Sequence, residues 1–125
     1  MAKLTIPGRL PGLNQYTDAC RTSAYKGAAL KKKGEKAVLK YIHMQAIPID
    51  FKPPVEIDFV WYEKDRRRDP DNIAGFGHKV ILDALVKSGI IKDDSQRYIR
   101  RITDAYETDP TNPRIEIDIH TANRT

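Results

Sequence analysis

The chain has 125 residues, a single cysteine, a formal net charge of +5 and a sequence pI of about 9.3. That length suits one domain with a modest core, here residues 1–125, and one thiol excludes an internal disulfide, which fits a reducing compartment. The charge favours a polyanionic partner such as nucleic acid, and no apolar run has the length of a membrane span or the pattern of a signal peptide.

Lys3 to Ile6 reads as a short strand ended by Pro7-Gly8, and Pro11, Gly12 and Asn14 continue the loop. Arg21 to Ala46 reads as one long helix. Its first half is basic, with Lys31, Lys32 and Lys33 clustered, and its second half carries Val38, Tyr41, Ile42 and Gln45 at helical spacing. Pro48, Pro53 and Pro54 break the chain. Val55, Ile57, Phe59 and Trp61 then alternate with Glu56, Asp58 and Tyr62, which predicts a half-buried strand. A second helix runs to Lys87 and stops at Gly89, a residue suited to the left-handed turn after a helix. Asp93-Asp94-Ser95 forms a turn. Tyr98 to Tyr106 and Arg114 to His120 read as strands, joined as an antiparallel hairpin through a long loop. The order β-α-β-α-β-β gives an α+β class: a single mixed sheet packed against two helices.

The chemistry concentrates between Asp65 and Gln96. Five carboxylates, Asp69, Asp71, Asp83, Asp93 and Asp94, stand in a basic chain, with Arg66, Arg67 and Arg68 directly before the first pair. Acids of this kind hold a hard divalent metal, and the cations hold the polyanion that the metal acts on. Asp69-Pro70-Asp71-Asn72 also makes a good helix start, with Asp as cap and Pro at the first position, and Asp93-Asp94 also reads as a solvated turn. If the intervening helix folds back, the two acidic turns can converge at one end of a sheet. Two to four carboxylates suffice for Mg²⁺, which keeps several waters. A calcium loop starting at Asp69 fails, because Val80 stands at its twelfth position and Ala74 at its sixth. Zinc fails on ligands: one cysteine, and His43, His78 and His120 without paired spacing.

These residues resemble the RusA family of Holliday-junction resolvases. The pattern is an arginine-rich approach, Asp-x-Asp-Asn, a Lys four residues before Asp-Ala-Leu, Gly with a hydrophobic pair, then Asp-Asp-Ser-Gln. This chain supplies Arg66 to Arg68, Asp69-Pro70-Asp71-Asn72, Lys79, Asp83-Ala84-Leu85, Gly89-Ile90-Ile91 and Asp93-Asp94-Ser95-Gln96, in that order. Gly12 to Tyr16 is similar to an early family loop, more loosely. One departure concerns Lys79, which lies eight residues beyond Asp71, so that Ala74 to Gly77 look like an insertion. Gly75 and Gly77 disfavour regular helix, so this segment is expected to be looped or bulged, with the main helix starting near His78. In a continuous helix His78 would lie nearer the face of Asp71 and become the rival basic group.

The resemblance implies a metal-dependent endodeoxyribonuclease that resolves four-way DNA junctions by paired symmetric nicks, in the cytoplasm of a bacterial or phage-infected cell. It implies that Asp69, Asp71 and Asp94, with Asp93 beside them, bind Mg²⁺ (or Mn²⁺), and that Lys79 stabilises the developing charge. Symmetric cutting implies a homodimer acting on branched DNA. Asn72 supports the site or the helix start. Asp83 is spaced as a helical ion pair for Lys79. Arg66, Arg67, Arg68, Lys31, Lys32 and Lys33 are the expected phosphate contacts. A nuclease for flap or other branched DNA, a non-catalytic DNA-binding module and a transferase using Asp-x-Asp are the alternatives.

Overall fold

The computed structural model describes residues 2–48 and 51–122. Its elements are β1 (Ala2–Pro7), α1 (Leu13–Thr22), α2 (Ala24–Met44), β2 (Val55–Glu63), α3 (Pro70–Lys87), β3 (Ile99–Thr108) and β4 (Arg114–Thr121). The α+β class holds, with three helices and one mixed four-stranded sheet in the order β1-β4-β2-β3.

The helix expected from Arg21 to Ala46 is α2, which begins at Ala24 and ends at Met44, while Arg21 and Thr22 close a separate helix, α1. Ser23 adopts an extended backbone (φ −167°, ψ 151°), and its side chain accepts a hydrogen bond from the Lys26 backbone N–H, capping α2. The stretch from Leu13, read as loop, is α1. Gly27 lets the two helices meet closely, since a methyl group there would overlap Cys20.

β2 has the anticipated alternation, burying Val55, Ile57, Phe59, Trp61 and Glu63 on one face. β4 buries Ile115, Ile117 and Ile119 on the same side, and β1 adds Leu4 and Ile6. Against this face lie Val38 and Ile42 of α2 and Ile73, Phe76, Val80, Ile81, Ala84 and Leu85 of α3. Each such side chain contributes about 2 kcal/mol on burial, so the joint between α3 and the sheet carries much of the fold. Phe76 is fully buried and packs on Tyr16 with ring centroids 4.7 Å apart, so it belongs to the core.

The predicted β3–β4 hairpin does not form. β3 pairs with β2 in parallel, and β4 pairs antiparallel with both β1 and β2. The residues between Thr108 and Arg114 therefore cross the end of β2, where the Asp109 N–H donates to the Glu63 carbonyl at 2.7 Å. β2 is apolar enough to be enclosed, whereas β3 alternates poorly and is exposed over most of its length, so β3 takes the edge.

Candidate active site

β2 delivers the chain to the start of α3, where the first acidic pair sits. Asp69 caps the helix from an extended backbone, its Oδ1 accepting the Asn72 N–H at 2.8 Å. Pro70 takes the first turn, where its missing N–H costs nothing. Asp71 is exposed in that turn, at the positive end of the helix dipole. The Asn72 side-chain oxygen accepts the Asn14 N–H at 2.9 Å. It lies so close to Gly12 that a Cβ there would come within 2.5 Å. Asn72 therefore fastens the start of α1 to the start of α3, which holds the early loop against the acidic helix terminus.

The three arginines divide. Arg68 forms a two-pronged pair with Glu63, with Nε to Oε1 and Nη2 to Oε2 both 2.8 Å, and its Nη1 donates to the Leu10 carbonyl at 3.2 Å. Glu63 is buried, and Arg9 approaches it at 3.5 Å. Arg68 is thus engaged by the fold. Arg66 and Arg67 are exposed, with only a 3.7 Å approach of Arg67 to Asp65. Beside them opens a cleft of about 410 Å³ lined by Asp65, Arg66, Arg68, Pro70, Tyr106 and Thr108 among others.

α3 is continuous from Pro70 to Lys87, so the expected loop or bulge at Ala74 to Gly77 is absent. Tertiary packing outweighs glycine's poor propensity: a Cβ on Gly77 would lie 2.6 and 2.7 Å from carbons of the Trp61 ring, so glycine lets the helix press onto the sheet. Continuity places Lys79 about 12 Å along the axis from Asp71 and well round the helix. Lys79 is exposed and makes no ion pair among the described residues. Its expected partner, Asp83, instead binds Lys31 of α2 at 2.6 Å. That contact, the first cause, raises the Lys31 pKa and ties α2 to α3. Lys31 also approaches Glu35 at 3.9 Å, while Lys32 and Lys33 are exposed on α2.

His78 shares the Asp71 stripe of α3, two turns along. Its Nε2 lies 2.7 Å from Asp104 Oδ1, which also accepts the Trp61 Nε1–H at 2.8 Å. An ionised carboxylate only accepts, so Nε2 carries the proton. The imidazole rests against Phe59 and Trp61, at centroid distances of 4.9 and 5.7 Å. Tyr106 follows two residues later on β3. Burial first, then the charges of Asp104 and Asp71, raise its phenol above the ordinary value. Asp104 and Tyr106 escape a reading by motif. The sequence signal is a carboxylate at Asp104, on the β3 face that otherwise carries Ile102 and Tyr106.

The second acidic pair lies elsewhere. Parallel pairing of β2 and β3 requires the chain to return to the sheet end where β2 begins, and Val55 faces Ile99 in the register. Asp93 and Asp94 precede Ile99 at that end, exposed, with the Asp94 N–H bonded to Asp93 Oδ1 at 2.9 Å. Asp69 and Asp71 stand at the other end, a helix of 18 residues or about 27 Å away. The expected convergence within one protomer is therefore overturned. Among the described residues no three or more His, Cys, Asp or Glu side chains group as a metal-ligand set. Asp69 and Asp71 are hard oxygen donors at an exposed helix terminus, which fits part of a magnesium shell.

The family model for endodeoxyribonuclease RusA matches residues 14–120, most of the chain, and the chain belongs to that family. A comparison with curated proteins finds no match.

Proposed function

We propose that this member of the RusA endodeoxyribonuclease family is a divalent-metal-dependent resolvase that acts as a homodimer on four-way DNA junctions and makes paired symmetric nicks. The observation that carries the reading is the placement of Asp69 and Asp71 at a helix terminus beside Arg66 and a cleft, in a chain of this family. Asp69 and Asp71 of one protomer would hold the metal together with Asp94, and Asp93 beside it, from the second copy. A bound Mg²⁺ or Mn²⁺ would supply Lewis-acid activation of the phosphodiester and of water.

The chain's own residues have distinct tasks in this reading. Arg66 and Arg67, with Lys32 and Lys33 on α2, take phosphates of the junction arms. Arg68 holds the loop in shape through Glu63, and Asn72 holds the helix start. His78, kept in one tautomer by Asp104, is the basic group on the Asp71 face. Lys79, turned to solvent, meets a phosphate farther along the arm. Asp83 keeps α2 and α3 together through Lys31.

The test is a labelled four-way junction beside a matched linear duplex and a flap, each with Mg²⁺ or EDTA. Metal-dependent paired cuts in the junction are expected, with Asp71→Asn retaining junction binding and losing cleavage. Normal cleavage by Asp71→Asn would refute the site, and preference for flaps would replace the resolvase reading with a flap nuclease.

A further inference from the structure

We propose that the open edge of β3 is the surface on which a second copy of this chain docks, by antiparallel pairing of β3 with the partner's β3. The inference rests on the two-copy site proposed above and identifies the surface that builds it.

β3 is ten residues long, lies at the edge of the sheet and bonds to β2 along one side only. It departs from the pattern of the other strands. β4 alternates buried and half-buried residues, whereas from Arg100 to Thr108 β3 is exposed except at Thr103. Among the described residues, two of the five exposed large hydrophobic residues, Ile102 at 38% and Tyr106 at 37%, lie on it. Both share the helix-covered face, because Asp104 between them pairs with Phe59, which is buried on that face. Charges on an edge strand ordinarily keep it from pairing. Here one register sets opposite charges against each other at two symmetric positions, with one like-charge contact at the axis.

A twofold axis normal to the sheet keeps the helices of both copies on one side, so directly opposed residues must share a face. Placing the axis at Asp104 sets Ile102 against the partner's Tyr106 and Arg101 against the partner's Glu107, each twice by symmetry. The first pair joins a β-branched and an aromatic residue, and the second joins opposite charges. Thr103 meets the partner's Ala105 without conflict. The two Asp104 carboxylates face each other at the axis, a like-charge contact that opposes the pairing, and the hydrogen bonds each accepts from Trp61 and His78 of its own protomer offset part of that cost. Moving the axis by one residue along the strand, to Thr103, opposes Arg101 to Ala105 and Ile102 to Asp104, and loses both favourable pairs.

The consequence reaches the site. Antiparallel pairing lays the beginning of the partner's β3 beside Thr108, and the partner's Asp93-Asp94 turn precedes that strand. Tyr106, Glu107 and Thr108 line the same cleft as Pro70 and Arg66. The turn therefore enters the mouth of the cleft on the Asp71 side. Two such sites form, one at each end of the paired strands, on the order of 30 Å apart for a strand of this length.

The experiment reads association, independent of cleavage. Glu107→Arg, which opposes two arginines twice, should raise the dimer dissociation constant about tenfold in sedimentation, and Arg101→Glu with Glu107→Arg should restore it. In a Cys20→Ser background, an Ile102→Cys protein mixed with a Tyr106→Cys protein should form a disulfide-linked heterodimer, while neither alone should cross-link. Cross-linking of Ile102→Cys alone, or dimers indifferent to charge reversal, would overturn the pairing. If the pairing fails while an Asp71→Asn and Asp94→Asn heterodimer still cuts, the two-copy site stands on another surface. Correct cross-links with an inactive heterodimer would overturn the two-copy site and leave the edge pairing standing.

Discussion

Restoration of cleavage by two dead variants is the strongest consequence of the separation between the acidic pairs. α3 has 18 residues, about 27 Å, and holds Asp71 and Asp94 at opposite ends of one protomer. No side-chain rearrangement closes such a gap. If the site unites the pairs across a dimer, an Asp71→Asn homodimer has a lesion in both sites, and so does an Asp94→Asn homodimer. A heterodimer of the two differs: one site collects both lesions and the other collects none. Co-expression with distinct affinity tags, followed by purification through both, isolates that species. Its rate for the first nick in a four-way junction should be about half the wild-type value, since one of two equivalent sites remains. The paired cut on the opposite strand should be lost, so nicked junctions accumulate in place of linear products. Denaturing gels resolve the first event and native gels the second. A heterodimer as inactive as its parents would refute the two-copy site. Restoration of paired cuts at the wild-type rate would refute it as well, because one intact site cannot make both.

Other variants separate binding from architecture. Arg66→Ala and Arg67→Ala should weaken junction binding, each reducing the salt slope by about 1, with little change in stability. Arg68→Ala should cost about 3 kcal/mol in urea unfolding, because it strands the buried Glu63 carboxylate. Gly77→Ala should destabilise by about 2 kcal/mol on the same measurement, since contact with the Trp61 ring outweighs the gain in helix propensity. The Arg114 side chain, first among several causes, holds the carboxyls of Glu116 and Asp109 below their ordinary ranges. Depressed carboxylates contribute stability above their unfolded values, about 4, and lose it as pH falls through the folded ones. Arg114→Met should therefore be less stable at neutral pH, and the gap should close below about pH 4 in a urea-midpoint series.

Locally encoded features were legible. The alternation in Val55 to Trp61 and in Ile115 to Ile119, the cap at Asp69 and the turn at Gly89 (φ +84°) depend on neighbours in sequence, and the structure has them where the pattern puts them. Features set by distant partners were not. Nothing in the spacing between Tyr106 and Arg114 says that β2 lies between their strands. The start of α2 is a local feature that was overlooked, since Ser23 caps it through a bond to the Lys26 N–H only three residues on. Gly75 and Gly77 argued for a loop because propensity counts backbone entropy alone, while the close approach to Trp61 rewards the absence of a side chain. Asp83 four residues from Lys79 had the spacing of a pair, yet Lys31 on another helix reached it first. At the site, Asp69 and Asp71 share one helix turn, so their meeting was visible, but the position of Asp94 depends on the direction of β3.

That direction bears on the proposed chemistry. A parallel strand after a helix must carry its leading turn back to the end of the sheet where the preceding strand began. In this chain the leading turn holds Asp93 and Asp94, so the crossover that builds the core also keeps a protomer from assembling the proposed ligand set alone. A monomer with this topology would be a poor nuclease, and dimerisation would switch on both sites together. A four-way junction presents two equivalent strands related by a twofold axis, and a single nick leaves it unresolved. An enzyme whose sites exist only in pairs, facing the same axis, is matched to such a substrate, since a protomer that finds DNA without a partner leaves no stray nick.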